Sequence, residues 1–367
     1  MNAQADARFM ARALRLARRG LYTADPNPRV GCVIVKEGEV VAEGWHARAG
    51  EPHAEINALR VAGEASRGAT VYISLEPCCH QGRTAPCVDA LIDAGVGRVV
   101  AAMDDPNPLV SGGGLDRLRA AGIEIESGIL QAQAEAMNPG FVSRMRRGRP
   151  WVRVKLAASL DGRTAMASGE SRWITSPQAR DDVQRLRARS SAIMTGVGTV
   201  LADDPALTVR LPGAERQPIR IVIDSNLSTP ESARLLGEPG DVLIVTSSDD
   251  AGYAQTLTQA GAEVLCLPGE RGVDLVGLMD QLGTREVNEV MVEAGGTLCG
   301  ALLEAGLVDE LVVYVAPHLM GDQARGMFAL PGLRHLAERI ELDVRDIRAV
   351  GRDWRVTASV RHAAPSH

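Results

Sequence analysis

This chain is organised around two stretches, His53-Ala54-Glu55 and Pro77-Cys78-Cys79-His80-Gln81-Gly82-Arg83-Thr84-Ala85-Pro86-Cys87. Together they offer an imidazole, a group of thiols and a carboxylate that need not bind a metal. Three nitrogen or sulfur ligands with an open fourth position are the usual composition of a catalytic zinc site. The sequence therefore predicts zinc bound by His53, Cys78 and Cys87, with Glu55 free for acid–base chemistry.

Two neighbouring residues compete for the metal. Cys78 is preferred to Cys79 because it follows Pro77 directly and because adjacent cysteines rarely both reach one metal. His80 would complete a set of four protein ligands, which closes a zinc site and makes it structural. A closed structural site formed by His53, Cys78, Cys79 and Cys87 stays open as the alternative, although any closed site would leave Glu55 without a task.

Length and composition limit the class of protein. The chain of 367 residues is long enough for two domains, and 45% of its residues are hydrophobic, as in ordinary globular proteins. The net charge of −6 argues against a nucleic-acid binder or a protein held at a membrane surface. No apolar run approaches the length of a membrane span. A small-molecule substrate and a reducing, cytoplasmic setting with free cysteines are expected.

Hydrophobic periodicity predicts an α/β first domain, residues 1–147. Its elements alternate in a way that favours three layers with a mostly parallel inner sheet. The predicted order is a helix over 6–19, a strand hairpin over 30–41, a helix over 53–62, a strand over 70–75, a helix over 87–94 and a strand over 99–102.

A second α/β pattern occupies residues 148–367. The polar, basic stretch 144–150 that precedes it is typical of a linker. Helices are predicted over 177–189 and 298–305, and an antiparallel pair over 341–350 and 354–361 closes the chain. The predicted strands cover 152–157, 192–195, 219–223, 242–246, 264–267, 290–292 and 311–315.

Two glycine turns in the second domain indicate a phosphate-rich cofactor. Gly196-Val197-Gly198-Thr199 follows an apolar strand but lacks the third glycine of a dinucleotide fingerprint. Glu293-Ala294-Gly295-Gly296-Thr297-Leu298 is the better candidate, because a strand ends there and a helix begins. Backbone N–H groups at such a helix start bind anions, although either turn could be an ordinary strand-to-helix connection.

The chain also resembles a known family. The pattern H-x-E with P-C is typical of zinc-dependent nucleobase deaminases, and the long loop between the cysteines resembles that of the bifunctional deaminase–reductases of riboflavin biosynthesis. Further motifs of that family are Pro26-Asn27-Pro28-Arg29-Val30-Gly31, Gly44-Trp45-His46, Lys155-Leu156-Ala157-Ala158-Ser159-Leu160-Asp161-Gly162-Arg163, Ser171-Arg172-Trp173-Ile174-Thr175, Leu201-Ala202-Asp203-Asp204-Pro205 and Leu207-Thr208-Val209-Arg210.

The resemblance implies a cytidine-deaminase-like domain followed by a dihydrofolate-reductase-like domain, with zinc and NADPH as cofactors. The first domain would remove the 2-amino group of 2,5-diamino-6-(5-phosphoribosylamino)pyrimidin-4-one. The second would reduce the ribosyl chain, giving 5-amino-6-(5-phosphoribitylamino)uracil. It also implies a homo-oligomer. A lone nucleobase deaminase with a C-terminal binding module is the alternative function.

Site residues follow from the matching motifs. Glu55 would move protons during deamination, and Asn27 would bind the pyrimidine or ribose unless it is only a turn residue. Lys155 and Asp161 are candidates for proton delivery in the reduction, or structural residues. Substrate would be held by Ser171, Arg187, Leu207, Arg210 and Glu293, with the two arginines as phosphate clamps unless Arg187 belongs to a solvated helix face. Cofactor contacts would come from Ala157, Trp173, Thr199, Asp203, Ser225, Gly295, Gly296, Thr297, Leu298, Cys299, Gly300 and Ala301.

Overall fold

Two units make up the chain, Met1–Gly148 and Arg149–His367. The computed structural model describes residues 3–79, 86–108 and 110–361, and each unit is described by itself. His80 and the middle of the loop between Cys78 and Cys87 lie outside the described residues, so a role of His80 as a further ligand stays a hypothesis from the sequence.

The first unit is built on a mixed sheet of strand order β2-β1-β3-β4-β5. β1 is antiparallel to both of its neighbours, while β3, β4 and β5 run parallel. The predicted hairpin is therefore confirmed, and the predicted parallel pairing holds for β3, β4 and β5 but does not extend to β1. The strands are β1 (Gly31–Lys36), β2 (Glu39–Trp45), β3 (Thr70–Ile73), β4 (Arg98–Ala101) and β5 (Glu124–Ser127); the helices are α1 (Ala3–Ala17), α2 (Ala54–Ala62), α3 (Cys87–Asp93), α4 (Gly113–Ala120), α5 (Gln131–Met137) and α6 (Pro139–Arg147).

Helices cover both faces of this sheet. Gly31 pairs with Trp45 and Cys32 pairs with Gly44, so the two glycines face opposite sides, since side chains alternate along a strand. A Cβ atom at Gly31 would lie 2.1 Å from a backbone oxygen of α1, and one at Gly44 would lie 2.2 Å from a backbone oxygen of α2. Both helices therefore rest directly on the strands, and the predicted three layers are confirmed.

The basic stretch 144–150 is not an extended linker as predicted. Its first four residues form the last turns of α6, which begins at Pro139 and ends before Gly148 in a left-handed conformation, φ 71°. Phe141 is buried on the inner side of this helix. Arginines near the C-terminus of a helix interact favourably with its dipole, so basic composition here reflects a helix end.

The second unit contains a long sheet of order β11-β10-β9-β8-β14-β6-β15-β18-β17. Its strands run parallel from β11 to β15, and β18 and β17 are antiparallel. The strands of this sheet are β6 (Trp151–Ser159), β8 (Ala192–Gly196), β9 (Ile219–Ile223), β10 (Val242–Thr246), β11 (Glu263–Cys266), β14 (Glu289–Val292), β15 (Glu310–Ala316), β17 (Leu342–Val350) and β18 (Asp353–Val360). Short pairs are formed by β7 (Arg163–Ala165) with β16 (Arg325–Gly326) and by β12 (Pro268–Gly269) with β13 (Gly272–Val273). The helices are α7 (Pro177–Arg189), α8 (Val197–Asp203), α9 (Arg234–Gly237), α10 (Ala251–Gln259), α11 (Leu275–Thr284) and α12 (Gly296–Glu304).

The predicted strands and the closing antiparallel pair are confirmed, with ends that shift by one or two residues. α12 begins at Gly296, two residues before the predicted start. In this order the ends of β9, β8, β14 and β6 lie next to one another. β14 comes last of the four along the chain but lies between β8 and β6 in the sheet. In open α/β sheets, ligands bind at the carboxyl ends of strands where the strand order changes direction.

A buried ionic network holds the centre of this sheet. Arg153 of β6 is 1% exposed and bonds to Glu289 of β14 and Glu310 of β15. Removing one partner of such a network costs about 3–5 kcal/mol, because the remaining charge is left buried and unpaired. The network thus links β6 to both of its neighbours in the sheet, β14 and β15. None of the helices in the described ranges is both long and apolar enough to cross a membrane.

Candidate active sites

The first candidate site lies where two helices of the first unit begin. His53 is the N-cap residue of α2, and Cys87 is the first residue of α3. Cys78 follows β3 and lies beside both. The His53 Nδ1 atom is 3.3 Å from Cys87 Sγ and 3.6 Å from Cys78 Sγ. The three residues predicted from the sequence as metal ligands are therefore brought together by the fold.

The donor set fits a zinc ion. The three ligand atoms lie within 4.8 Å of one another. Among the described residues, these three side chains form the cluster of histidine, cysteine or acidic groups that could hold a metal ion. Tetrahedral zinc with bonds of about 2.0–2.3 Å separates its ligand atoms by roughly 3.5–3.8 Å. Cys79 is outside the group, which agrees with the preference for Cys78 over its neighbour.

The side chains of Cys78 and Cys87 are hydrogen-bonded to each other. A hydrogen bond from Cys87 lowers the pKa of Cys78 to about 4, against the cost of its burial. The same bond, together with burial, raises the pKa of Cys87. A backbone N–H of Cys87 also donates to Cys78 Sγ at 3.3 Å. The site therefore already stabilises a thiolate, the form in which cysteine binds a metal.

Glu55 is buried beside the candidate ligands His53, Cys78 and Cys87. It is the second residue of α2 and is only 3% exposed. Burial, with a smaller contribution from the charge of Cys78, raises the pKa of Glu55 to about 7. A carboxyl group with a pKa near the working pH can both accept and return a proton.

A further histidine supports the rim of this site. His46 is buried, and its Nε2 lies 3.0 Å from Asn27 Nδ2 while its Nδ1 lies 3.3 Å from the carbonyl oxygen of Pro52. With the proton on Nδ1, His46 donates to Pro52 and accepts from Asn27, which fixes the amide of Asn27. Its ring also meets that of His53 edge-on, with centroids 5.2 Å apart. The sequence contained His46 in a motif, but only the fold shows this contact.

The second candidate site centres on a buried carboxylate at the end of β14. Glu293 accepts two hydrogen bonds from Arg187, at 2.6 and 3.1 Å, and its carboxylate lies 3.5 Å from Lys155 Nζ. Burial raises the pKa of Glu293, but the charges of Arg187 and Lys155 outweigh it and bring the pKa to about 2. Arg187 also donates to the carbonyl of Thr208, so its fork is engaged by the protein.

Arg210 is the arginine of this site whose guanidinium is open to a ligand. Among the described residues it forms no side-chain hydrogen bond or ion pair; only its backbone N–H is bound, by Gln184. Burial and the nearby charges of Arg187 and Arg234 lower the pKa of Arg210. Arg187 and Arg234 are paired with Glu293 and Glu238, so the guanidinium of Arg210 brings an additional positive charge that suits a phosphate. Arg234 was not among the residues predicted from the sequence.

The predicted cofactor residues are spread over neighbouring strand ends. Ala157 belongs to β6, Thr199 and Asp203 to α8, and Ser225 follows β9. Gly295 is the N-cap of α12, with no heavy atom within 4 Å of its would-be Cβ. The start of α12 is therefore open to an anion.

Two of the predicted cofactor glycines have packing roles. A Cβ atom at Gly300 would lie 2.0 Å from the carbonyl oxygen of Ala329, and one at Gly296 would lie 3.2 Å from the carbonyl oxygen of Gly326. Their spacing lets the segment 326–329 pack directly on α12. Trp173 is 69% exposed, with the guanidinium of Arg180 4.4 Å from its ring centre, and it offers an open aromatic surface.

Asp161 has hydrogen bonds that favour the structural one of its two predicted roles. Its carboxylate accepts from the Ser159 hydroxyl and from the backbone N–H groups of Met320 and Gly321. The bond from Ser159 is the main cause that lowers the pKa of Asp161 to about 2. The residue thus ties two loops together and stays ionised, as in its structural alternative.

Comparisons with known proteins cover both units. A family model described as the cytidine and deoxycytidylate deaminase zinc-binding region matches residues 3–103. A second, described as the RibD C-terminal domain, matches residues 150–356. The two matched ranges fall on either side of the junction between the units.

Similar proteins extend over nearly the whole chain. The riboflavin biosynthesis protein RibD of Escherichia coli is 56% identical over 95% of this chain and 97% of its own length. The protein of the same name from Haemophilus influenzae is 48% identical over 96% of each. Among solved structures, Acinetobacter baumannii RibD superposes with a TM-score of 0.92 at 43% identity, covering 98% of this chain and all of its own. A Thermotoga maritima diaminohydroxyphosphoribosylaminopyrimidine deaminase/5-amino-6-(5-phosphoribosylamino)uracil reductase has a TM-score of 0.88 at 32% identity, covering 98% and 99%.

Proposed function

The chain belongs to the RibD family of bifunctional deaminase–reductases of riboflavin biosynthesis, and from that premise we propose which of its residues carry the two reactions. Zinc and NADPH are the cofactors. In the first reaction the 2-amino group of 2,5-diamino-6-(5-phosphoribosylamino)pyrimidin-4-one is removed by hydrolysis. In the second, NADPH reduces the ribosyl chain to ribityl. The observation that carries the assignment is the cluster of His53, Cys78 and Cys87 beside buried Glu55.

In the deaminase site, His53, Cys78 and Cys87 would hold zinc. When bound, zinc supplies the Lewis acidity that makes a water nucleophilic near neutral pH. Glu55 accepts the proton of that water and delivers it to the ring nitrogen, then assists the departure of ammonia. Its pKa of about 7 suits both directions of transfer. Asn27, which is held by His46, would bind the edge of the pyrimidine or the ribose.

In the reductase site, we assign the cofactor to the open ends of β6, β8, β9 and β14. NADPH, when bound, supplies the hydride that reduces the opened ribose. The N-terminus of α12 suits a phosphate group, and Arg210 with Arg234 suits the phosphate of the substrate. Glu293 orients Arg187 and Lys155, and Lys155 is the proton donor that this geometry favours over Asp161.

The alternative of a lone deaminase with a binding module is not favoured. A model of the family's reductase domain matches residues 150–356, and relatives that share both domains align along nearly the full chain. We therefore assign catalysis to both units.

The metal assignment predicts that Cys87→Ser removes zinc and deamination together. Wild-type protein should contain about one zinc per chain by elemental analysis, because the first unit offers one catalytic set of three ligands. The variant should contain little or none, since a hydroxyl group is a poor zinc ligand. Its NADPH-dependent reduction of already deaminated substrate should continue. A variant that keeps zinc and deaminates normally would contradict the ligand set.

We also propose a cytoplasmic, homo-oligomeric protein. The cysteines of the chain are free thiols, including the adjacent pair Cys78 and Cys79, which agrees with a reducing compartment. On the second unit, Leu342, Val344 and Ile347 of β17 and Trp354 of β18 are exposed by 42–58%. Val344 pairs with Ala358 and Ile347 with Val356, while Trp354 pairs with Ala349. Paired residues of antiparallel strands share a face, so these side chains form one apolar surface, which we call the β17–β18 face.

A second copy of the chain is the partner that the β17–β18 face fits. The exposed apolar area is roughly 400 Å², within the range of the largest patch on a monomer, which is often functional. It also matches the apolar part of a stable dimer interface, which buries about 800 Å² per partner with somewhat more than half of it apolar. Asp343, Asp346 and Arg348 pair with residues on the opposite face of the two strands. The apolar face is therefore free of these three charges and can pack against an identical surface.

Ile347→Lys is accordingly expected to dissociate the oligomer. It places a charge in the middle of the proposed interface, where desolvation without a partner is costly. Sedimentation velocity should show a smaller species than the wild type, and Arg144→Lys in the first unit serves as a charge-conserving control. Equal sedimentation of Ile347→Lys and wild type would show that another surface joins the copies.

A further inference from the structure

Glu76 is a buried carboxylate that the proposed reactions do not use. It follows β3 and precedes the ligand-bearing Pro77-Cys78, and it is 3% exposed. Its Oε2 accepts from the backbone N–H groups of Asp105 and Gly112, at 2.9 and 3.0 Å. Its Oε1 accepts from those of Gly114 and Leu115, at 2.9 and 3.3 Å. Four backbone donors thus converge on this one side chain.

These bonds make Glu76 the N-terminal cap of α4. The helix starts after Gly112, which has φ 80° and supplies no side-chain cap. Helix N-termini leave several N–H groups unpaired and favour negative charge. Glu76 therefore supplies both the hydrogen-bond acceptors and the negative charge at the start of α4, although it lies 36 residues before Gly112 in the chain.

A run of glycines brings α4 into direct contact with the metal-binding segment. A Cβ atom at Gly114 would lie 2.1 Å from the carbonyl oxygen of Pro77, and one at Gly113 would lie 3.2 Å from Cys79 Sγ. The helix start therefore abuts the residues on both sides of Cys78. In addition, the N–H of Glu76 donates to the carbonyl of Met103 at 3.0 Å, so the segment is bound at its side chain and its backbone.

We propose that Glu76 is a positioning residue of the deaminase centre, which fixes Cys78 at bonding distance from the metal through its grip on α4. The inference rests on the proposed ligand set and adds a support behind it. The backbone of residues 76–79 can shift only if α4 shifts with it, because the carboxylate and the glycine contacts join them. Partners behind metal ligands are worth about 10–100-fold in metal affinity.

The test is zinc affinity, measured by competition with a chromophoric chelator on the full-length, metal-stripped protein. Glu76→Gln keeps the shape of the side chain but replaces one carboxylate oxygen by an NH₂ group, which cannot accept the hydrogen bonds of the two backbone N–H groups that face it. It should bind zinc about 10–100-fold more weakly, and its Co²⁺-substituted form should show altered ligand-field bands. Gly114→Ala should have the same effect through the clash with Pro77. Glu64→Gln, the same chemical change at an exposed position, should match the wild type.

Zinc affinity and Co²⁺ bands equal to those of the wild type, with only reduced thermal stability, would overturn the proposal and leave Glu76 a helix cap. If circular dichroism shows that metal-free Glu76→Gln is unfolded, Gly114→Ala decides the matter by the same two measurements. Wild-type protein that binds no zinc would instead contradict the ligand set itself, so failure of this inference and failure of the proposed function are distinguishable.

Discussion

Glu55→Gln is expected to abolish deamination while leaving zinc in place. The amide keeps the size of the side chain but cannot take a proton from water or return it to the ring. General acid–base catalysis contributes about 10²–10⁴-fold, and kcat for deamination should fall by at least that much. Since Glu55 is outside the group of ligand atoms, elemental analysis should still find about one zinc per chain, as the three-ligand site requires.

Two controls accompany this variant. Glu39→Gln makes the same change at an exposed position in the hairpin and should deaminate like the wild type. Reduction of already deaminated substrate by Glu55→Gln should also be unchanged, because it takes place in the other unit. Full deaminase activity in Glu55→Gln would show that Glu55 is not the acid–base residue.

Glu293→Gln is expected to disable the reductase and spare the deaminase. The carboxylate is held between Arg187 and Lys155, and its pKa of about 2 shows that it is ionised throughout the neutral range. Neutralising it releases both cations, and a misplacement of about 1 Å in an active site can cost 10²-fold in rate. We expect kcat of NADPH oxidation to fall by about that factor.

Arg210→Ala provides the contrast. Its guanidinium should act on the substrate phosphate, so its loss should raise KM more than it lowers kcat. Glu304→Gln, at an exposed position near the end of α12, is the matched control. A wild-type kcat in Glu293→Gln would show that the Arg187–Glu293–Lys155 group is structural and does not serve the reaction.

The zinc site could be predicted because its chemistry is carried by local sequence signals. His53 and Glu55 occupy the first positions of one helix and Cys87 the first position of another, and helix starts can be recognised from sequence. Soft ligands in short motifs specify both the metal and the acid–base group. The strands were equally predictable, since apolar runs such as 219–223 and 242–246 are buried in the middle of the sheet.

Contacts between residues far apart in sequence could not be predicted. The ion pair of Arg187 with Glu293 joins positions separated by 106 residues, so the sequence showed an arginine-rich helix but not where one arginine is held. The helix cap supplied by Glu76 and the position of Arg234 near Arg210 also depend on contacts between residues far apart in the sequence. The prediction of a linker over residues 144–147 was wrong for a local reason, because a basic helix end and a polar linker have similar compositions.

Product masses show whether one chain carries two enzymes that act in sequence. Purified, zinc-loaded protein is incubated with 2,5-diamino-6-(5-phosphoribosylamino)pyrimidin-4-one, with and without NADPH, and the products are identified by mass spectrometry. Without NADPH, we expect the deaminated ribosylamino compound to accumulate. With NADPH, we expect 5-amino-6-(5-phosphoribitylamino)uracil, together with consumption of one NADPH per product. Unchanged substrate, or a deaminated product that NADPH never converts, would contradict the assignment of both reactions to this chain.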